Sequence, residues 1–248
     1  MVHTSPLEQA GRGDAGGMNI YVTESAEKIA SLGVEVDIFT RRTSVDQKET
    51  KISDGVTVKF LDAGPAAPMK KEDLPTQVTA LTHCFLDYAR HNPKNYYDIM
   101  HSHYWISGQV AWMAKDSLNI PFVHTMHTMA RVKNLALARD EKAEPETRAY
   151  GEEQIVRNAD ALIANTSAEA AQLVSLYNAC QDNVYVVAPG VDINRFTPGW
   201  GKSSAREKLG ISPEALMFTF VGRLQPHKGP EVLVRAASEL LIHSPHLR

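Results

Sequence analysis

Short apolar runs alternate with helix-period segments along almost the whole chain, and this alternation restricts the fold more than any other feature. Val34 to Ile38 alternates as a strand, and Asp54-Gly55 is a turn before a second alternating run, Val56 to Phe60. Thr76 to Tyr88 puts Val78, Leu81 and Phe85 on one helical face. Tyr97 to Met100 reads as a short strand, Ile106 to Leu118 as a helix and Pro121 to His124 as a strand. Helix at Glu146 to Asn158, strand at Ala161 to Ala164, helix at Ala168 to Tyr177 and strand at Val184 to Val187 continue the series. Such a chain predicts an α/β fold, a parallel sheet with helices on both faces.

The run Gly11-Arg12-Gly13-Asp14-Ala15-Gly16-Gly17-Met18-Asn19 opens directly into an amphipathic helix. Met18, Val22, Ala26 and Ile29 form its apolar face, and Gly33 stands where a helix would end. Glycines leave the backbone open, and a helix N-terminus presents N–H groups and a positive dipole, which suits a phosphate or another anion. Gly11, Gly13 and Gly16 also spell the dinucleotide fingerprint G-x-G-x-x-G. That motif needs a hydrophobic strand before the first glycine, whereas His3 to Ala10 reads as a loop, so a nicotinamide enzyme is disfavoured.

Turn-rich Pro189 to Asp192 and Phe196 to Gly199 read as a linker. Residues 1–194 then form one domain, and residues 195–248 hold a helix near Ala205 to Leu209, a strand at Met217 to Val221 and a helix at Pro230 to Ile242. One such β-α unit buries no core of its own. The Gly17–Leu32 helix calls for a buried central strand before it, of which only Met1 and Val2 remain. Losing such a strand removes about 10 kcal/mol of burial against a net stability of about 5–15 kcal/mol. The sequence is therefore expected to be an incomplete copy of a longer two-domain protein.

A net charge of −3 excludes general nucleic-acid affinity, so any anion site is a local cluster of cations. No apolar stretch reaches membrane-spanning length, and Cys84 and Cys180 read as reduced structural cysteines, so a cytoplasmic location is expected. Sequence alone leaves the oligomeric state open, a homodimer included.

Polar residues cluster where strands end. His101-Ser102-His103-Tyr104-Trp105 follows one strand, and His124-Thr125-Met126-His127-Thr128 spans the end of another. Ligands of open parallel sheets bind beyond such carboxyl ends, and Tyr104, His127 and Thr128 suit a hydroxyl-rich ligand. The four histidines lack a carboxylate or thiolate partner, so no metal site is expected, and His101 and His124 read most simply as satisfied buried histidines. Lys71, Arg131, Lys133 and Arg148 are candidate anion grips. Arg148 falls in the first turn of a helix, where the dipole disfavours a cation unless an anionic partner is present. Arg223 and Lys228, on a loop between a strand and a helix, suit a diphosphate.

These segments together resemble the retaining glycosyltransferases of family four, which follow the GT-B plan of two facing Rossmann-like domains. Gly222 to Gly229 (G-R-L-x-P-x-K-G) marks the wider family. His3 to Leu7 (H-T-S-P-L), Gly11 to Asn19, Leu74 to Gln77 (L-P-T-Q), His101 to Val110 and His124 to Asn134 (H-T-x-H-T-x-A-x-V-K-N) are more particular, and resemble the branch that glycosylates inositol phosphate in mycothiol synthesis. The resemblance implies transfer of N-acetylglucosamine from UDP-N-acetylglucosamine to 1D-myo-inositol 3-phosphate, with retained configuration. It implies that the inositol ring meets His3, the loop Asp14, Ala15, Gly16, Gly17, Met18 and Asn19, and Thr128. The acceptor phosphate meets Lys71, Tyr104, Thr128 and Arg148. Gln9, Ala10 and Gly17 match donor contacts, Arg223 and Lys228 hold the diphosphate, and His127 meets the donor sugar, making these last three the catalytic groups. A glutamate pair that holds the donor, and any magnesium site, would lie beyond Arg248, so this chain is expected to hold no cofactor. A sucrose-phosphate-synthase-like transferase with another phosphorylated acceptor, or an inactive acceptor-binding module, are the alternative functions.

Overall fold

The computed structural model describes residues 5–9, 11, 15–137, 141–198, 201–222, 224 and 228–244. It divides into two compact units, residues 1–137 with 142–189, and residues 138–141 with 190–248.

The first unit carries α1 (Gly17–Ala30), β1 (Val36–Arg41), β2 (Thr50–Ser53), β3 (Val56–Leu61), α2 (Val78–Arg90), β4 (Met100–His103), α3 (Trp105–Leu118), β5 (Phe122–Thr125), α4 (Ala130–Leu135), α5 (Glu146–Asn158), β6 (Ala161–Ala164), α6 (Ser167–Tyr177) and β7 (Val184–Val186). Its strands form two sheets, β1-β3-β2 and β4-β5-β6-β7. β1 runs parallel to β3, and all three pairs of the second sheet are parallel. Only β2 is antiparallel, folded back on β3 through the Asp54-Gly55 turn. Gly55 has φ +75°, which a glycine takes at no steric cost.

β4 begins where the sequence reading would end it. Tyr97 is drawn out of the strand because its hydroxyl donates to Asp37 Oδ2 at 2.7 Å. Met100 to His103 instead pair in register with Phe122 to Thr125. His101 and His103 therefore lie within a strand rather than after it.

The larger core packs α2, α3, α5 and α6 around the second sheet, with Phe122, Ile106, Ile155, Leu162 and Leu173 fully buried. Gly108 allows the close approach of α3. A Cβ there would lie 2.5 Å from Ile155 Cδ1 and 2.7 Å from His124 Cε1. A second cluster joins Val22 and Ala26 of α1 to Ile38, Val56 and Val58. β1 and β4 each end their sheet, and an apolar cavity of about 250 Å³ lies between them, lined by Val36, Phe39, Met100 and His103. Ile29, expected on the buried face of α1, faces this cavity and is 38% exposed.

In the second unit the described residues form α7 (Lys202–Lys208) and α8 (Pro230–His243). The expected strand at Met217 to Val221 takes no regular structure, and Phe218 and Val221 are exposed. An isolated strand has no ladder to hold it, and the described residues of this unit offer no neighbouring strand. No helix among the described residues is long and apolar enough to cross a membrane.

Candidate functional site

Because His103 pairs with Thr125, β4 and β5 end side by side. The segments that leave them, Tyr104 into α3 and Met126 to Met129 into α4, share one rim. The Tyr104 N–H donates to Thr125 O at 3.0 Å and fastens the two exits together. Both exits are strained. Among the described residues five non-glycines have positive φ, and three are asparagines, which tolerate it. The other two are Tyr104 (φ +69°) and His127 (φ +61°). Such conformations cost about 1–3 kcal/mol each and persist only where the surroundings enforce them.

Arg148, in the first turn of α5, is 1% exposed, so its charge must be answered from within. Its Nε donates to Glu152 Oε1 at 2.8 Å, and its Nη2 donates to Thr128 O and Oγ1, each at 3.0 Å. Its guanidinium lies 5.0 Å from the Tyr104 ring centroid. Glu144 Oε2 stands 2.8 Å from Nη1, an ion pair poorly aligned as a hydrogen bond; burial alone would raise the Glu144 carboxyl, but Lys133 and Arg148 outweigh it and hold it below its ordinary value. Burial alone would lower the Arg148 pKa, but Glu152, Tyr104 and Glu144 together outweigh it and hold the group above its ordinary value. Lys71, exposed, places Nζ 5.2 Å from the Tyr104 centroid. Two cations thus converge on one aromatic side chain at the sheet rim.

Glu152 fixes this arrangement. It is fully buried and accepts from Arg148 Nε, from the Ala130 N–H at 2.8 Å and from the Tyr177 hydroxyl at 2.5 Å. Tyr177 in turn accepts from the Arg131 N–H at 2.9 Å. One carboxylate therefore sets Arg148 against the start of α4, and so against Thr128. Burial pushes the Glu152 carboxyl up, and Arg148, Tyr177 and Ala130 offset this only in part, so the group stays above its ordinary value. Every partner of Glu152 is a donor, which favours the ionised form.

His127 sits beside this cluster. Its Nε2 and His103 Nδ1 are 3.0 Å apart and share one proton. The Tyr21 ring of α1 meets His127 edge-on at 5.0 Å and His103 at 5.8 Å. Tyr21 is one turn beyond Gly17, so the start of α1 is carried to the same rim. There Asn19 is structural: its Oδ1 accepts from the Gly16 N–H at 3.1 Å, and its Nδ2 donates to Ser5 O at 2.7 Å. Burial drives His103 and His124 well below the usual histidine range.

The structure brings Tyr104, Lys71, Thr128 and Arg148 together, and joins His127, through Tyr21, to the helix that Gly17, Met18 and Asn19 open. Ala15 is buried and Gly16 half-buried ahead of α1, and Gln9 is exposed. Lys228 belongs to the second unit, where it precedes Gly229, the φ +70° cap of α8. His3, Ala10, Asp14 and Arg223 lie outside the described residues.

Several expectations change. Arg131 pairs with Glu153 and Lys133 with Glu144, so neither is an uncommitted anion grip. Arg148 finds its anionic partners in its own chain, so its unfavourable position on the dipole does not by itself demand a ligand. His101 is exposed rather than buried, with Nε2 2.9 Å from Thr125 Oγ1. His124 is fully buried on Ser102 Oγ at 2.7 Å, but its Nε2 has no partner. Glu144 and Glu152 escape the sequence reading, although both stand four residues from Arg148, the spacing of helical ion pairs. Tyr177 carries no such signal. Among the described residues no three His, Cys, Asp or Glu side chains gather to hold a metal ion.

The family model for the glycosyl transferase 4-like domain matches residues 16–190. The chain belongs to this family. It is 54% identical over 249 aligned positions to the D-inositol 3-phosphate glycosyltransferase of Actinosynnema mirum, covering all of this chain and 59% of that protein. The protein of the same name from Streptomyces scabiei is 51% identical, with all of this chain and 56% of that one covered. The chain thus spans under three-fifths of the length of these curated relatives. Among solved structures, sucrose-phosphate synthase from Thermosynechococcus elongatus is 30% identical with a TM-score of 0.87, covering 97% of this chain and 58% of that one. Anabaena HepE, in complex with UDP and glucose, is similar in fold, with a TM-score of 0.65 at 18% identity over 94% of this chain and 56% of that one. The α/β architecture is that of GT-B glycosyltransferases.

Proposed function

We propose that the protein is a retaining glycosyltransferase that moves N-acetylglucosamine from UDP-N-acetylglucosamine to the hydroxyl of 1D-myo-inositol 3-phosphate. The observation that carries this reading is the buried Arg148 against Tyr104, with Nη1 held only by a poorly aligned ion pair, Thr128 beside it and Lys71 on the same aromatic side chain. An acceptor phosphate would take charge-assisted hydrogen bonds from Arg148 and Lys71. The names of the curated relatives support the identity of the acceptor.

The glycine loop and Thr128 would orient the inositol ring, which lowers the barrier by positioning. His127, held by His103 and Tyr21, would fix the donor sugar from the same rim. Arg223 and Lys228 would stabilise the negative charge that develops on the leaving diphosphate. That diphosphate, on the front face, would take the proton of the attacking hydroxyl, so the C–O bond forms on the side from which the diphosphate departs.

A second reading, transfer to a hexose phosphate, is favoured by the similarity to sucrose-phosphate synthase. A panel of acceptors with labelled UDP-N-acetylglucosamine separates the two. Turnover of inositol 3-phosphate is expected, and equal or faster turnover of fructose 6-phosphate would replace this assignment. Calorimetry gives an independent measure: Arg148→Ala should weaken inositol 3-phosphate by about 10–100-fold, and unphosphorylated inositol, which loses only the support that Arg148 gives Thr128, by much less. An equal loss for both ligands would remove Arg148 from the phosphate site.

A further inference from the structure

Glu144 stands in an unusual relation to Arg148. Its backbone is clamped to α4 by two hydrogen bonds, Glu144 N–H to Asn134 Oδ1 at 2.7 Å and Asn134 Nδ2 to Glu144 O at 3.2 Å. One carboxylate oxygen pairs with Lys133. The other lies 2.8 Å from Arg148 Nη1, an ion pair in poor hydrogen-bond alignment. The Glu144 side chain is 18% exposed, against 2% for Arg148, so Glu144 stands on the solvent side of the pair. The contrast with Glu152 is plain. Glu152 is sealed from water and spends both its oxygens on aligned donors. Glu144 reaches the same guanidinium from the outside, and poorly aligned.

We infer that Glu144 is a specificity-determining counter-ion, occupying the anion position on Arg148 until a phosphate monoester displaces it. This rests on the assignment of Arg148 to the acceptor phosphate. Displacement is a simple exchange of ion pairs. The phosphate oxygens take the Nη1 donors, and Glu144 keeps Lys133 and its Asn134 clamp. A dianion with three acceptor oxygens outcompetes one misaligned carboxylate oxygen, whereas a neutral polyol or a monoanionic carboxylate gains little. The consequence is discrimination. An unphosphorylated ring would have to leave Glu144 in place, and the buried guanidinium never faces water unpaired. Glu144 touches no reacting atom in this scheme and acts only by competing for Arg148.

The test uses calorimetry on the wild-type chain, Arg148→Ala and Glu144→Gln, with inositol 3-phosphate and plain inositol as ligands. Glu144→Gln keeps the backbone clamp and the side-chain shape but removes the charge. It is expected to tighten inositol 3-phosphate by about tenfold and to leave inositol unchanged. Unchanged or weaker binding of the phosphorylated ligand overturns the inference and leaves the Arg148 assignment standing. If wild type and Arg148→Ala bind inositol 3-phosphate equally, the phosphate assignment itself falls, and the inference with it. Should Glu144→Gln fail to fold, Glu144→Asp withdraws the carboxylate by one methylene. The same tightening is expected of it, and the same refutation applies.

Discussion

Replacing Glu152 with Gln changes almost no volume, so its effect isolates charge and hydrogen-bond polarity. Glu152 accepts from three donors, Arg148 Nε, the Ala130 N–H and the Tyr177 hydroxyl. The Tyr177 oxygen already accepts from the Arg131 N–H, so its own proton points at Glu152. A glutamine amide offers one acceptor and one donor group. If its NH2 faces Arg148, donor meets donor at 2.8 Å; turned the other way, it meets the Ala130 N–H at the same distance. Neither orientation serves all partners, and Arg148 loses one of its two carboxylates. Removing one partner of a buried ion pair costs about 3–5 kcal/mol, and the retained Glu144 places the expected cost near 3 kcal/mol. Equilibrium unfolding in urea reads this directly. With an m-value of about 2 kcal/mol/M, the midpoint should fall by about 1.5 M. A fall under about 0.3 M would mean that the carboxyl is already protonated in the folded chain. Glu152 would then fold as a neutral acid, its three donors being too few to hold the charge.

Gly108→Ala places a methyl group 2.5 Å from Ile155 Cδ1 and 2.7 Å from His124 Cε1. Contacts under 3.0 Å with two buried side chains put overpacking at the upper end, about 2–3 kcal/mol, which less about 1 kcal/mol of helix propensity predicts a net loss of about 1–2 kcal/mol and a lower thermal midpoint. An unchanged or raised midpoint would contradict the close packing of α3. The buried His103 and His124 have depressed pKa values and fold in the neutral form. Their stabilising contribution is complete above the unfolded value of about 6.5 and is lost as pH falls below it. The urea midpoint should therefore hold steady from pH 8 to 7 and decline between pH 6.5 and 5, above the range of ordinary carboxylates. A flat profile down to pH 5 would disprove this.

The regular elements were legible where apolar periodicity was clean. β6 has the bounds that the sequence predicts because its buried positions alternate, and α5 does too although its buried face carries Arg148 and Glu152 beside Ile155 and Val156. β4 was displaced because Tyr97 and Ile99 look apolar in sequence, while a single hydrogen bond to Asp37 commits Tyr97 elsewhere. β2 and α4 were invisible: Thr50 to Ser53 carries no alternation, and the start of α4 depends on Glu152 and Tyr177, distant in sequence. At the site, Tyr104 and Thr128 could be grouped because parallel strands deliver their ends to one rim, whereas Arg148, in the first turn of α5, was joined to them by the family resemblance. The partners that answer the charge of Arg148 could not be grouped so easily. Glu152 matters through its burial, and burial of a carboxylate has no local signature beyond its spacing from Arg148.

The first unit has two sheets where one continuous sheet would couple every strand by hydrogen bonds. Among the described residues no strand pairing joins the half built on β3 to the half that bears the histidines, and Met18 packs against the apolar cluster of each. Main-chain ladders resist shear, whereas side-chain packing yields to it. Each half is thus free to lose amide protection on its own timetable. The glycine-led helix packs on both clusters, and its hold on His103 and His127 through Tyr21 is only as firm as the grip of Met18 and its neighbours on both sides.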